Sequence, residues 1–336
     1  MALPALRLLA RGLEPRSVIV RVDAPGAHAL EGQGSFVVAP DRGAARGRGP
    51  AVLFSDALRP AWGAFVGRAY PRIGRPTDLR RRLLSDPVAE PADPLPPLAR
   101  GARGLLAAEH QADAFLRVAG AALLALRGQG FDLLPGDDVL EPGAEASRLA
   151  ARAFASSGEP QVLLHPFAAG ARTKRWPLDR WLRLGRRLRD DGLRLCVTAG
   201  PHPDDLALAS ALADAMQVPS LLGASRIPIL VWAALARLVD IVVVPDTGLG
   251  HLARAAGAST LSIFTSTDPA RHAPRGPGAA LVVHGGLGLS CAPCYGDRCR
   301  TRPLLRCGER VEPGEVAALV REAVRAQEAA LARGVL

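Results

Sequence analysis

In the second half of the chain, short continuous apolar runs alternate with longer amphipathic stretches. Val162–His165, Leu193–Thr198, Ile241–Val244, Thr260–Phe264 and Ala280–Val283 are unbroken and rich in β-branched residues, as strands covered on both faces are. Between them the apolar positions recur at helical spacing over Leu178–Asp190, Asp204–Met216, Ile227–Leu238 and Gly250–Ala256, with a last helix over Glu312–Arg333. Pro177 and Pro313 stand at helix starts, where a missing N–H costs nothing. Strand and helix alternate across short connections, which requires a parallel, doubly wound α/β sheet. Ligands of such sheets sit beyond the carboxyl ends of the strands, so the loops to inspect follow His165, Thr198, Val244 and Phe264.

The first 150 residues are less clearly punctuated. Ser17–Val22, Phe36–Ala39 and Ala51–Phe54 read as strands, and Leu105–Leu126 as a long Ala/Leu helix. The Gly, Pro and Asp content of Gly128–Pro142 is that of a linker. The Arg/Gly-rich segment 41–50 has no aromatic residue and is too short for an RNA-binding tract.

Length and composition fit this picture. The 336 residues, 49% apolar and 22% charged, suffice for two domains with their own cores. No apolar run is long enough for a membrane span; the longest, Ile227–Pro245, is broken by Arg237 and Asp240. Met1–Leu13, interrupted by Arg7 and Arg11, reads as an amphipathic helix rather than a targeting peptide, so a cytoplasmic protein is expected. The net charge of +10 rests almost wholly on arginine, since Lys174 is the single lysine and asparagine is absent. That pattern points to codon bias in a GC-rich genome, with a basic surface that favours anionic partners.

Three segments carry candidate chemistry. In Val242–His251 an apolar strand runs into Asp246-Thr247-Gly248-Leu249 and then into a helix bearing His251. Small residues there let backbone N–H groups approach a phosphate at a helix N-terminus; a plain capping turn is the other reading. Lys174, preceded by Thr173, lies in the loop after the strand at 162–165, where a flexible ammonium suits a diphosphate. A surface lysine beside a helix start is the alternative. Cys291, Cys294, Cys299 and Cys307 fall within 17 residues, a spacing fit either for a structural zinc held by thiolates or for unliganded packing cysteines. Cys196, mid-strand, belongs to the core. No Gly-x4-Gly-Lys-Ser/Thr loop, His-Glu-x2-His helix or Gly-x-Ser-x-Gly elbow occurs.

Taken in order, these segments resemble glycosyltransferase family 9, the lipopolysaccharide heptosyltransferases. His165-Pro-Phe-Ala-Ala…Thr173-Lys174-Arg175-Trp176-Pro177 is similar to that family's His-Pro-Gly-Ala…Thr-Lys-Arg-Trp-Pro. Asp246-Thr247-Gly248-Leu249-x-His251, Phe264-x3-Asp268-Pro269-Ala270-Arg271, Ala199-Gly200-Pro201 and Cys291-Ala-Pro-Cys294-Tyr295 also match its patterns. Upstream, Leu53-Phe-Ser-Asp56…Pro71-Arg72-Ile-Gly74…Arg80-Arg81-Arg82 is similar to its acceptor-side half. The resemblance implies a GT-B fold, two Rossmann-like domains with parallel sheets facing a cleft. The expected division is 1–145 on the acceptor side, 146–311 for the nucleotide sugar, and a helix over 312–336 crossing back to the first domain. It implies an ADP-sugar donor such as ADP-heptose and a lipopolysaccharide-core or lipid-linked acceptor at the inner membrane, where the protein would be cytoplasmic or peripheral. It implies no catalytic metal; no nucleic acid is expected as a partner, and a basic nucleic-acid-binding protein with a cysteine-held zinc is the distant alternative, which leaves the regular strand–helix halves unexplained. Thr173, Lys174, Asp246, Thr247, Gly248, Leu249 and His251 would bind the donor, with Lys174 and the Thr247/Gly248 turn meeting the leaving diphosphate. Arg72 and Arg80 are the candidates for the acceptor.

One departure stands out. Members of the family begin with a strand and a Gly-Asp-x-Val loop, whose Asp is the expected general base, ahead of a helix like Ala2-Leu-Pro-Ala-Leu-Arg7. The chain begins at that helix. Asp23, Asp41 and Asp56 are the nearest acids, and none lies in a matching motif. A late start codon, or a member that binds nucleotide sugar without transfer, would each account for this.

Overall fold

The computed structural model describes residues 2–13, 19–22, 28–30, 32–34, 37–40, 49–55, 58–89, 109–130, 132–134, 136–168, 172–199, 203–220 and 227–333. These form two compact units, divided between Asp138 and Val139.

In the first unit, α1 (Leu3–Gly12) carries Pro4 in its first turn and buries Ala5, Leu8 and Leu9. That face packs on α3 (Gln111–Arg127), which contributes Phe115, Ala119, Ala122 and Leu123 to the same core. The helix expected over 105–126 is described from 111. His110 Nδ1 accepts from Ala112 N at its start, and Gly128, at φ 71°, ends it. Strand β1 (Ile19–Val22) pairs in parallel with β2 (Val37–Pro40). A second parallel sheet joins β3 (Ala51–Leu53), β4 (Arg72–Gly74) and β5 (Asp86–Pro87), with α2 (Leu58–Val66) and a 3-10 turn over Asp78–Leu83 in the connections. The sequence reading had missed α2, β4 and β5, whose apolar runs are too short to show a period. The 128–142 segment is more than a linker. The Asp137 carboxylate accepts from Arg11 at 2.5 and 2.7 Å and from Leu134 N at 2.8 Å, which closes the turn onto α1 and holds that carboxyl below its ordinary range against the opposing effect of burial.

The second unit opens with α4 (Ala144–Ser156), which buries Ala146 and Ala150 and packs against α7 (Ile229–Ala236). Its sheet contains β6 (Val162–Leu164), β7 (Leu195–Val197), β8 (Ile241–Pro245), β9 (Thr260–Phe264) and β10 (Ala280–His284). The spatial order is β10-β9-β8-β6-β7, all parallel, so chain order reverses between β6 and β8. Every residue of β6, β7, β8 and β9 is buried, as their unbroken apolar runs require. Helices α5 (Leu178–Asp190), α6 (Pro203–Met216), α8 (Gly248–Ala255) and the one-turn α9 (Pro269–His272) and α10 (Arg306–Glu309) fill the connections. The final helix, α11 (Pro313–Ala332), packs on α5 and sets Val316, Ala317, Val320 and Val324 in this unit's core beside Trp176, Trp181 and Leu184. No helix among the described residues is long and apolar enough to cross a membrane.

Candidate functional site

Three adjacent strands, β6, β8 and β9, send their exit loops to one end of the sheet, on either side of the point where strand order reverses. A crevice opens there in doubly wound sheets, because the chain leaves neighbouring strands in opposite directions. The sheet places residues from distant parts of the sequence in that crevice.

Strand β8 ends at Pro245, and Asp246, 7% exposed, follows it. Thr247, with an extended backbone (φ −142°, ψ 155°), precedes the first residue of α8, Gly248. That helix begins two residues earlier than its pattern predicts. A Cβ at Gly250 would lie 3.0 Å from Val244 Cγ2, so a glycine there lets the helix start close to the strand. Gly248 is exposed and Thr247 and Leu249 are half-exposed, so the first N–H groups of α8 open to solvent without partners inside the helix. His251 follows, half-buried.

The loop after β6 returns through a 3-10 turn over Arg172–Lys174, then Trp176 and Pro177. Trp176 is 1% exposed and donates its indole N–H to Gly308 O at 3.1 Å, which anchors the loop. Lys174 Nζ lies 2.9 Å from Asp246 Oδ2 and remains partly open to solvent. The sequence reading expected both residues in one pocket, with Asp246 capping the helix or holding a neighbouring group. Asp246 is paired with Lys174, and no side-chain capping bond closes the start of α8.

The loop after β9 supplies what the sequence reading missed. Thr265, Ser266, Thr267 and Asp268 are all at most 4% exposed. Thr267 donates its hydroxyl to Asp246 Oδ2 at 2.8 Å, and Thr265 donates to Thr173 O at 2.6 Å. Two hydroxyls two residues apart thus hold both sides of the Lys174–Asp246 pair. The signal was present as Thr-x-Thr continuing the period-two alternation beyond Phe264. Asp268 caps the next turn, accepting from Ala270 N at 2.9 Å ahead of Pro269, which explains the Asp-Pro-Ala-Arg pattern locally. The hydroxyl of Thr173, itself buried, donates to Gly296 O and ties the cysteine-bearing loop to the same place.

His165, at the end of β6, is enclosed. Its Nδ1 lies 3.3 Å from Thr198 Oγ1, and its ring meets those of Phe167 and Trp232 edge-on at 6.1 Å. Burial pushes its pKa down to about 4, so the imidazole is neutral and braces the strand ends.

The four cysteines all carry free thiols and line one cavity. Burial pushes the Cys307 thiol up to about 11. Cys299 moves the other way, held low first by the hydroxyl of Thr301 and then by Leu305 N–H at 3.2 Å. Among the described residues no group of three His, Cys, Asp or Glu side chains is arranged to hold a metal ion.

In the first unit, Arg72 donates to Leu83 O at 2.6 Å and Ala69 O at 2.8 Å and lies 5.4 Å from the centre of the Phe65 ring. Arg80 is 1% exposed and donates to Thr77 Oγ1 at 3.2 Å. The Arg72 guanidinium thus bonds the chain flanking its own strand, and that of Arg80 bonds within its own turn. Asp23, Asp41 and Asp56, like Gly200 and Pro201, lie outside the described residues.

A doubly wound α/β unit with a lysine–carboxylate pair and an open helix N-terminus at its strand-order reversal has the architecture on which anionic ligands are commonly bound. The particular family follows from the chain itself. Residues 126–305 match the model of glycosyltransferase family 9 (heptosyltransferase), and the protein belongs to that family. It is 33% identical over 134 residues to lipopolysaccharide heptosyltransferase 1 of Pseudomonas aeruginosa, a match covering 39% of this chain and 35% of that protein. It is also 33% identical over 118 residues to the Escherichia coli K12 enzyme of the same name, covering 34% of each. The chain thus spans about a third of the length of these curated relatives. Its fold is similar to that of E. coli ADP-heptose lipopolysaccharide heptosyltransferase II, with a TM-score of 0.69 at 15% identity, covering 97% of this chain and 95% of that one. A family 9 glycosyltransferase from Veillonella parvula gives 0.65 at 14% identity, covering 96% and 92%. The expected GT-B class is therefore the fold of this chain's structural neighbours.

Proposed function

We propose that this chain transfers a heptose, or a closely related sugar, from an ADP-sugar donor to an acceptor in the lipopolysaccharide core. The observation that carries this reading is the Lys174–Asp246 pair at 2.9 Å, set beside the open N-terminus of α8. A glycosyl transfer of this kind breaks the bond between the anomeric carbon and the diphosphate, and negative charge grows on the departing phosphate oxygen. A partly exposed ammonium, pre-positioned by a buried carboxylate, meets that charge without first reorganising solvent. The N–H groups of Gly248 and Leu249 add the partial positive charge of the helix end. Thr173, Thr247 and His251 are the further residues we expect at the crevice, where the sugar and nucleotide would be held. Membership of the family, and relatives named as lipopolysaccharide heptosyltransferases, support heptose and the lipopolysaccharide acceptor. Such an acceptor is lipid-linked, so the reaction would take place in the cytoplasm at the inner membrane surface. The donor-side charge is met by Lys174 and backbone N–H groups, so we expect transfer to persist in EDTA.

The direct test is calorimetric titration of the full chain with ADP and with ADP-heptose, followed by transfer to a heptose-deficient lipopolysaccharide. Binding that Lys174→Met weakens at least tenfold, together with transfer, supports the reading. Unchanged ADP affinity in that variant overturns the role of Lys174. Tight ADP-heptose binding with no transfer to any core acceptor would mark a nucleotide-sugar binder instead.

A further inference from the structure

A cavity of about 800 Å3 opens next to this crevice, with Thr173 and Ser266 on the sheet side and the 291–307 loop around the rest. It is large enough for a sugar with one charged substituent. Its charged lining consists of Arg298, Arg300 and Arg306 with one carboxylate, Asp297.

The three guanidiniums differ from most arginines around the same sheet. Arg175 pairs with Asp205, Arg180 with Glu309 and Glu312, Arg189 with Asp190, and Arg321 with Asp191. The exposed side chains of Arg298, Arg300 and Arg306 have no hydrogen-bond or ion-pair partner for their guanidiniums among the described residues. Like charges gathered on one concave wall repel, and an anion in the cavity relieves that repulsion. Ser266 adds an independent observation. It is 1% exposed, its backbone carbonyl accepts from Cys294 N and Tyr295 N, and its hydroxyl is buried with no partner at all. A buried donor left unpaired is unfavourable, and a bound group that accepts a hydrogen bond from it relieves that cost. The loop itself is fixed in place: a Cβ at Gly285 would lie 1.8 Å from Cys307 O, so the two backbones are in direct contact.

We propose that this cavity is a second anion-binding subsite, distinct from Lys174, that takes a phosphate or carboxylate carried by a sugar substrate. Anion binding here does not depend on the transferase reading; only the identity of the anion rests on it. The anion is either part of the donor's diphosphate or an acidic group of the acceptor, and the two differ in what the arginines control.

Pyrophosphate is the probe, titrated calorimetrically into the full chain carrying Lys174→Met with Asp246→Asn, so that the neighbouring crevice is silenced. Adding R298Q, R300Q and R306Q together should weaken pyrophosphate binding at least tenfold and flatten its salt dependence. Removing three exposed arginines elsewhere, R148Q, R152Q and R325Q, should leave it unchanged and controls for net charge. Equal loss in both triple variants, or no loss in either, overturns the subsite whatever the chain's activity. In the otherwise wild-type chain, the cavity variant then identifies the source. Weakened ADP binding assigns the cavity to the donor's diphosphate, whereas unchanged ADP binding with a raised acceptor KM assigns it to the acceptor.

Discussion

The two units use the parallel sheet in opposite ways. In the second, β6 to β9 are buried at every residue, and the loops leaving three of them meet at one buried carboxylate. In the first, β3 is only half-buried along its length and β5 is exposed, and Arg72 bonds the chain flanking its own strand while Arg80 bonds within its own turn. A strand packed on both faces cannot slide, so its exit loop starts from a fixed point and can hold a charge to within tenths of an ångström. A half-exposed strand cannot, and its polar side chains go to local structure. The comparison makes the second unit the place where chemistry is pre-organised.

The hardest test of that contrast is removal of the ammonium. Lys174→Met should reduce transfer by about 10²–10³-fold, as loss of one pre-organised charge at a transition state does. It also leaves the Asp246 carboxylate buried with Thr267 as its remaining named donor. Since Lys174 is partly solvated, the stability cost should be about 2 kcal/mol, less than for a fully buried pair. Lys174→Met with Asp246→Asn should recover the melting temperature but not transfer. Recovery of both would mean that the pair is structural.

Next in size is the pH dependence of the sheet that carries the site. His165 has a pKa of about 4 in the folded chain against 6.5 when unfolded. The unfolded state therefore takes the proton first as pH falls. The stability contribution is complete above pH 6.5 and is lost progressively down to about 4, by about 2 kcal/mol at pH 5 and about 3 kcal/mol at pH 4. Urea unfolding at pH 7 and pH 5 should show that loss, and His165→Asn should remove most of it. His284, held low by burial, contributes in the same direction and leaves a residual slope. An unchanged slope in His165→Asn would show that the ring is hydrated.

Much of this site was legible in the sequence because each piece has a local cause. The apolar runs Val162–His165 and Ile241–Val244 can only be buried strands, and a lone lysine in the loop after one of them draws attention by itself. Lys174 and Asp246 were both expected at the donor, but the ion pair between them was not, because it joins residues 72 apart in the chain (174 and 246). Thr267 was passed over for the same reason: its hydroxyl matters only once β8 and β9 are paired. The first half was harder to read. Its strands of two to four residues leave no period to detect, and its helix α2 is amphipathic over only nine. The cysteine spacing left a metal and unliganded thiols both open; the loop wraps a cavity and is held by the backbone at Gly285, by Thr173 and by the Cys299 thiol.

A smaller effect separates positioning from charge. Thr267→Val removes one donor from the Asp246 carboxylate but leaves the ammonium in place. About 2 kcal/mol of charge-assisted bonding is lost, which should appear as a drop of about 30-fold in kcat/KM for the donor. Thr267→Ser keeps the hydroxyl and should stay within about threefold of the parent. A merely packing role would give the opposite order, since valine preserves the volume of threonine and serine does not.

The smallest effect is expected in the first unit, and there it decides what Arg72 is for. Its guanidinium donates to two backbone carbonyls and covers one face of Phe65, and the side chain is half-exposed. Bonds of this kind at a surface contribute about 1 kcal/mol in total, because water replaces them when they break. Arg72→Met keeps the apolar stem over the ring and should lower the melting temperature by only a few degrees, with ADP affinity unchanged. If acceptor KM is also unchanged, Arg72 is a brace, and the acceptor's charge is read elsewhere. A tenfold rise in acceptor KM at the same melting temperature would mean that Arg72 leaves its carbonyls when substrate arrives, and the first unit would then share the recognition of charge that the comparison gives to the second.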